Sequence, residues 1–213
     1  MKRQNLEKKD SYILYIDLIG WVQDFCQNPD ITYRKTVDFY ELVFSQVNHL
    51  LAMPWSTFIG YSDTAWTRII VDHDEPSATE VLCASLGCVD RIIEKVKYSL
   101  FAVLTSGWVF LNPDDQLEVY EGELEGSQRA ALYKGSSRKY QVIPNLGIAQ
   151  IKAIHFEDYS KKNKLKNDVL WVEDSVVSGD TIPQFRKVIC ETVRPEEGWK
   201  LDQTAFSVFE KAN

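Results

Sequence analysis

The stretch Tyr12-Ile13-Leu14-Tyr15-Ile16-Asp17-Leu18-Ile19-Gly20-Trp21 sets the architecture. Tyr12 to Ile16 is an unbroken apolar run of aromatic and β-branched residues, the pattern of a strand covered by packed elements and central in its sheet. The run ends at Asp17, so a hydrophobic strand delivers a carboxylate to its carboxyl end. Gly20 follows where the chain must turn toward a helix, and backbone amides exposed at such a turn suit an anion.

Working outward, apolar residues recur at Val37, Tyr40, Val43, Phe44, Val47, Leu50 and Leu51, one face of a helix over Thr32 to Ala52 that Pro54 closes. Thr57 to Tyr61 and Thr64 to Val71 are β-favouring runs separated by Ser62-Asp63, which predicts a hairpin with Asp63 at its turn. Ala78, Val81, Leu82, Leu86, Val89, Ile92, Ile93 and Val96 predict a second amphipathic helix, with Pro76 near its start. Phe101 to Leu111 reads as a strand, and the acidic run from Asp114 to Glu125 as an exposed ribbon or loop. Gly147 to Glu157 reads as a helix, Val169 to Val172 as a strand, Pro183 to Val193 as a helix with Pro in its first turn, and Thr204 to Glu210 as a closing strand. The order, roughly βααββαβαβαβ, predicts an α+β sandwich with helices on one face of a mainly antiparallel sheet.

The 213 residues, 45% hydrophobic and 26% charged, contain no repeat and no Gly/Ser-rich linker, so a single domain over residues 1–213 is expected. A net charge of −7 repels polyanions and argues against nucleic acid as a partner. Apolar runs such as Leu100 to Leu104 are too short to span a bilayer, and the charged start of the chain lacks an apolar secretory segment; a cytoplasmic protein without membrane partners is expected. Cys26, Cys83, Cys88 and Cys190 show no CxxC spacing and fall in segments that read as helices, which predicts reduced thiols rather than a zinc or disulfide framework. His49 and His73 show no ligand spacing.

The chemistry lies in Asp17 and Asp63. A central strand beside a hairpin brings the two tips together although they are far apart in sequence. Two carboxylates at one point repel unless cations sit between them, and hard oxygen ligands suit Mg²⁺ or Mn²⁺, the outline of a two-metal phosphoryl-transfer site. An Asp at a strand end is also a common helix cap or turn residue, so it is the pairing that carries the argument.

Asp17-Leu18-Ile19-Gly20-Trp21 and Gly60-Tyr61-Ser62-Asp63 resemble, in order and spacing, the two metal-binding motifs of the class III nucleotidyl cyclases. Tyr-Ile-Asp-Leu-Ile-Gly with Tyr-Ser-Asp looks closer to the short bacterial pyrimidine cyclases of the Pycsar anti-phage systems than to adenylate and guanylate cyclases. Gly147-Ile148-Ala149-Gln150-Ile151-Lys152-Ala153-Ile154-His155-Phe156-Glu157 resembles the Gly-x-Ala-x-x-x-Ala-x-x-x-Glu helix of such proteins. The likeness runs from residue 12 to about 175 on three short motifs. It implies a ferredoxin-like core and a lyase in which the ribose 3′-oxygen of a nucleoside triphosphate attacks the α-phosphorus and expels pyrophosphate. By the same likeness two Mn²⁺ or Mg²⁺ ions are held by Asp17, Asp63 and the Leu18 carbonyl, while amides of Ile19, Gly20 and Trp21 cradle the phosphates. Head-to-tail homodimers with sites at the interface are implied, as is a separate effector that senses the cyclic nucleotide in anti-phage defence.

The sequence departs from the purine cyclases where their Asn and transition-state Arg stand: Ile151 and His155 occupy those positions. A cation is still wanted beside the developing charge, and Lys152, His155 and Arg68 are the candidates. Tyr61, together with Trp66, Thr105 and Trp108 on strands expected to flank the site, would shorten a base pocket and favour UTP or CTP, and the resemblance to the shorter cyclases implies UTP ahead of CTP. Two other readings stay open. A metal-dependent nuclease would use the same carboxylates but would need a basic track, and only Lys161, Lys162, Lys164 and Lys166 cluster. A non-catalytic cyclase-like dimer that senses a nucleotide would explain the missing Asn and Arg.

Overall fold

The computed structural model describes residues 7–53, 56–111, 147–177, 185–193 and 204–211. Among the described residues seven strands form one sheet: β1 (Glu7–Ile19), β2 (Thr57–Tyr61), β3 (Thr64–Val71), β4 (Ser99–Leu111), β5 (Leu170–Glu173), β6 (Phe185–Val193) and β7 (Thr204–Lys211). Four α-helices accompany them: α1 (Trp21–Gln27), α2 (Pro29–Val47), α3 (Ala78–Lys95) and α4 (Ile148–Asn163). The sheet runs β2-β3-β1-β4-β5-β7-β6, and every pairing is antiparallel except the parallel β4–β5 contact. This is the α+β class expected from the element order.

β1 is central because its apolar run serves both faces of the sheet. Leu14, Ile16 and Leu18 point to one side, into a core shared with Phe39, Val43 and Val47 of α2 and Val81, Leu82, Val89 and Ile92 of α3. Ile13 and Tyr15 point to the other side, where Ala149, Ala153 and Phe156 of α4 pack with Phe101, Val103, Trp171 and Phe206. The period of two along a strand divides one sequence between two cores. The helices therefore take both faces of the sheet rather than one.

The β2–β3 hairpin falls at its expected residues. Ser62 takes a left-handed φ of 57°, which lets so short a turn close without the favoured Asn-Gly pair. α3 opens on a capping box in which the Ser77 hydroxyl accepts from the Glu80 amide and the Glu80 carboxylate accepts from the Ser77 amide. Small residues Ala149 and Ala153 let α4 lie close on the sheet, and Phe156 stacks on Phe206 with ring centres 3.9 Å apart.

One element differs in kind. The helix expected over Pro183 to Val193 is strand β6 from Phe185 onward, so Cys190 lies on a strand rather than a helix. Ile189, Glu191 and Val193 are partly or fully buried while Arg186, Val188, Cys190 and Thr192 are exposed, an alternation of period two that the local Pro signal masked. The four cysteines are free thiols, as expected. The acidic run from Asp114 to Glu125 lies outside the described residues. Among the described residues no helix is long and apolar enough to cross a membrane.

Phe156 is fully buried among Phe101, Trp171 and Phe206. Replacing Phe156 with Ala should cost about 3–5 kcal/mol of stability. Urea denaturation measures this, and a loss below about 1 kcal/mol would show that α4 does not depend on this contact.

Candidate active site

Asp17 and Asp63 meet through the register of β1 on β3. Asp17 pairs across the ladder with Thr64, the residue that follows Asp63. The Thr64 hydroxyl donates to Asp17 Oδ1 at 2.8 Å, and the Leu18 amide donates to the Asp63 carbonyl at 2.9 Å. The hairpin turn is thus laced to β1 at the point where β1 presents its carboxylate. A one-residue slip of the register would send Asp17 to the opposite face.

Behind Asp17, on the same face of β1, the Tyr15 hydroxyl donates to Glu157 Oε2 at 2.7 Å, and Lys161, one turn further along α4, forms an ion pair with Glu157. Burial pushes the Asp17 carboxyl up to about 6; the Glu157 and Asp63 carboxylates add to the rise, whereas the Thr64 hydroxyl and the Lys161 ammonium oppose it. Burial first, then the Asp17 charge, raises the Tyr15 phenol far above its ordinary range, so it stays protonated as the donor to Glu157. The cluster holds more negative charge than its one lysine balances.

Such a site fits a divalent cation of the oxygen-seeking kind. The donors it could offer are the Asp17 carboxylate at the end of β1 and the Asp63 carboxylate in the β2–β3 turn, with the Leu18 carbonyl between them in the chain. Among the described residues no third Asp, Glu, His or Cys comes close enough to complete a protein-only cluster. Mg²⁺-type ions are held in this way when one or two carboxylates share the ion with waters and substrate phosphates.

The remaining residues singled out in the sequence fall into two groups. Near the aspartates lie Ile19 and Gly20, both exposed, and Tyr61, 78% exposed beside the turn. Gly20 has φ 85°, a conformation that disfavours a side chain, and open space where a Cβ would stand. Leu18 buries its side chain in the α2/α3 core while its amide holds the Asp63 carbonyl. The Trp21 indole donates to the Thr36 hydroxyl at 2.6 Å and stacks on Phe25, tying the turn to α2. Trp66 lies one same-face position along β3 from Thr64 and packs its ring 4.3 Å from Tyr15.

The second group sits away from Asp17 within the chain. Arg68 is buried on β3 opposite Ile13, about 13 Å along the strand from Thr64, and burial lowers its pKa. Lys152 is ion-paired with the buried Glu173 and donates to the Ser106 carbonyl at 3.1 Å. Ser106 lies opposite Tyr12, five residues along β1 from Asp17. His155 is half-buried, one turn before Tyr159 on α4. Thr105 gives its hydroxyl to the Ala149 carbonyl, and Trp108 lies under Lys8, so neither flanks the aspartates. Glu157 closes the motif quoted from the sequence and Lys161 belongs to its basic cluster, but neither they nor Tyr15 were candidates for this site. Their signal was the i, i+4 spacing of Glu157 and Lys161 on α4 and the shared parity of Tyr15 and Asp17 on β1.

The strand order and the helices that cover it are those of the class III nucleotidyl cyclase fold. Among solved structures the chain is similar to the adenylyl cyclase CyaB from P. aeruginosa, with TM-score 0.51 and 6% identity over 96% of this chain and 95% of that one. A bacterial light-regulated adenylyl cyclase matches with TM-score 0.52 and 10% identity, over 96% and 91% of the two chains. An adenylate/guanylate cyclase/hydrolase from Silicibacter pomeroyi matches with TM-score 0.53 and 13% identity, over 96% and 98%. No family model matches the chain, and no curated protein matches its sequence. At these identities the likeness establishes the class III cyclase fold.

The raised Asp17 carboxyl has a signed consequence. Unfolding returns it to its ordinary value near 3.8, so between about pH 4 and 6 the folded chain binds more protons than the unfolded chain. Stability without metal therefore falls as pH rises through that window. Asp17→Asn should be more stable than the parent at pH 7.5 in EDTA, by about 1–2 kcal/mol after allowing for solvent screening, and the difference should vanish toward pH 4. Melting curves across pH measure it; a difference that is constant with pH would contradict the strained carboxylate.

Proposed function

We propose that the chain is a divalent-metal-dependent nucleotidyl cyclase, acting as a homodimer on a pyrimidine nucleoside triphosphate. The observation that carries this reading is the joining of Asp17 and Asp63 across the β1–β3 pair on a cyclase fold. Asp17, Asp63 and the Leu18 carbonyl would hold the ions, and Mn²⁺ or Mg²⁺ would supply charge neutralisation at the 3′-oxygen and the triphosphate. The chain's own share is to set that spacing, to offer the exposed backbone of Ile19, Gly20 and Trp21 to the phosphates, and to seclude Asp17 from bulk water.

The positions of the cations support a shared site. Within one chain Arg68 lies about 13 Å along β3 from Thr64, Lys152 on α4 reaches Ser106 and Glu173 instead of Asp17, and His155 lies in the same half of α4 as Lys152. A head-to-tail partner would supply such a group, and His155 is the better candidate because Lys152 is committed to Glu173. Lys161 is the cation that the same chain brings to Asp17. Trp66 and exposed Tyr61 beside the metal-bearing turn support a short base pocket for UTP or CTP, and the likeness to the shorter cyclases favours UTP. A cyclic pyrimidine mononucleotide read by a separate effector in anti-phage defence follows from the likeness of Tyr-Ile-Asp-Leu-Ile-Gly and Tyr-Ser-Asp to the Pycsar enzymes.

The test is to incubate the pure protein with Mn²⁺ and each of the four ribonucleoside triphosphates and to identify products by mass. Cyclic UMP and pyrophosphate are expected, with at least a hundredfold loss for Asp17→Ala and for Asp63→Ala in proteins that remain folded. Near-normal turnover by either variant would refute the site, a purine product would refute the base assignment, and full activity in a strictly monomeric preparation would refute the shared site.

A further inference from the structure

The turn that carries Asp63 is held from two sides. On the β1 side the Leu18 amide holds the Asp63 carbonyl. On the other side stands Tyr40 of α2, whose hydroxyl donates to the Ser62 carbonyl at 2.6 Å. The Tyr40 ring lies against the backbone of Gly60: a Cβ there would come within 2.8 Å of ring carbons Cε1 and Cζ. Phe58 meets the same ring edge-on at 6.4 Å, and Phe39 packs at 5.3 Å. Burial, and then the Asp63 charge, raises the Tyr40 phenol, so it remains a donor wherever the protein is folded.

We infer that Tyr40 is a positioning residue for the Asp63 carboxylate: its ring seated on Gly60 and its hydroxyl on Ser62 fix the height of the turn, and so the gap between Asp63 and Asp17. The reasoning is geometric. Ser62 has a left-handed backbone, and the two residues Ser62-Asp63 link strands whose last pair is Tyr61 with Thr64. A two-residue turn with one strained member has little to set its tilt on its own. The Leu18 contact fixes one point, and a second fixed point is needed to define the direction in which the Asp63 side chain leaves the turn. Tyr40 supplies it from a helix anchored by the buried residues Thr36, Phe39 and Val43. Gly60 fits the same account, since any side chain at that position would displace the ring. The arrangement makes the register of α2 against the sheet a determinant of metal binding, although α2 itself contributes no ligand.

This inference rests on the metal-site reading of Asp17 and Asp63, and its test separates the two. Mn²⁺ alone is titrated into the wild-type protein, Tyr40→Phe, Gly60→Ala and Asp63→Ala by calorimetry, and each metal-free protein is melted in EDTA. Tyr40→Phe keeps the ring and loses one hydrogen bond; it should bind Mn²⁺ about three- to tenfold more weakly while its metal-free melting temperature stays within about 2 °C of wild type. Gly60→Ala, which keeps the hydroxyl but displaces the ring, should show a loss of affinity of the same order. Wild-type affinity in Tyr40→Phe, or a loss of affinity that merely tracks a lost melting temperature, would overturn the positioning role and leave the metal site standing. Wild-type protein that takes up no Mn²⁺, or Asp63→Ala that binds it unchanged, would overturn the metal site and Tyr40's role with it.

Discussion

The site depends on the antiparallel register of β1 against β3. That register sets Asp17 opposite Thr64 and therefore beside Asp63, where burial, and then repulsion from Glu157 and Asp63, makes an ionised Asp17 costly. Ladder hydrogen bonds, Leu18 on the Asp63 carbonyl and Thr64 on Asp17 oppose that repulsion. The same pairing decides the rest of the layout, because β1 alternates between two cores. Shifting it by one residue would exchange the contents of both. On the proposed function, folding and chemistry draw on one set of contacts, and the stability lost at the Asp17 carboxylate is a condition of holding it ready for a cation.

Around that pair the chain builds supports of different kinds. α4 brings Glu157 and Lys161 behind Asp17, with Tyr15 bridging from the strand. α2 brings Tyr40 under the hairpin and Thr36 to the Trp21 indole. Among the described residues, two of the cations proposed for the site lie away from this end: Arg68 is buried further along β3, and Lys152 is used in an ion pair with buried Glu173. Removing one partner from such a buried pair leaves an uncompensated charge, so Lys152 belongs to the fold of α4 on β4 and β5 before any other role.

Much of this was legible in the sequence where local and global signals agree. Tyr12 to Ile16 announces a central strand, and Ser62-Asp63 between two β-rich runs leaves space for little besides a hairpin; together these place Asp17 and Asp63 without any knowledge of the helices. β6 was misread because Pro183 and an apolar spacing compatible with a helix stand at its start. Its strand character comes from pairing with β7, a tertiary contact that a local window does not contain. Tyr15, Glu157 and Lys161 escaped notice as neighbours of Asp17 for a related reason, since Tyr15 reads as one more residue of the β1 apolar run, Glu157 as the end of a helix motif and Lys161 as part of a basic cluster until the sheet and α4 bring them to Asp17. The division of helices between both faces was hidden in the same way, because an apolar run such as Leu14 to Ile16 does not say which partner covers which side.

The central claim is that Asp17 and Asp63 together hold divalent ions against a nucleoside triphosphate. Its most direct test is the anomalous scattering of Mn²⁺ in crystals grown with Mn²⁺ and a non-reactive UTP analogue. The account predicts two manganese peaks bridged by the Asp17 and Asp63 carboxylates, with the triphosphate of the analogue on them. Manganese bound elsewhere, or a nucleotide seated away from both aspartates, would contradict it.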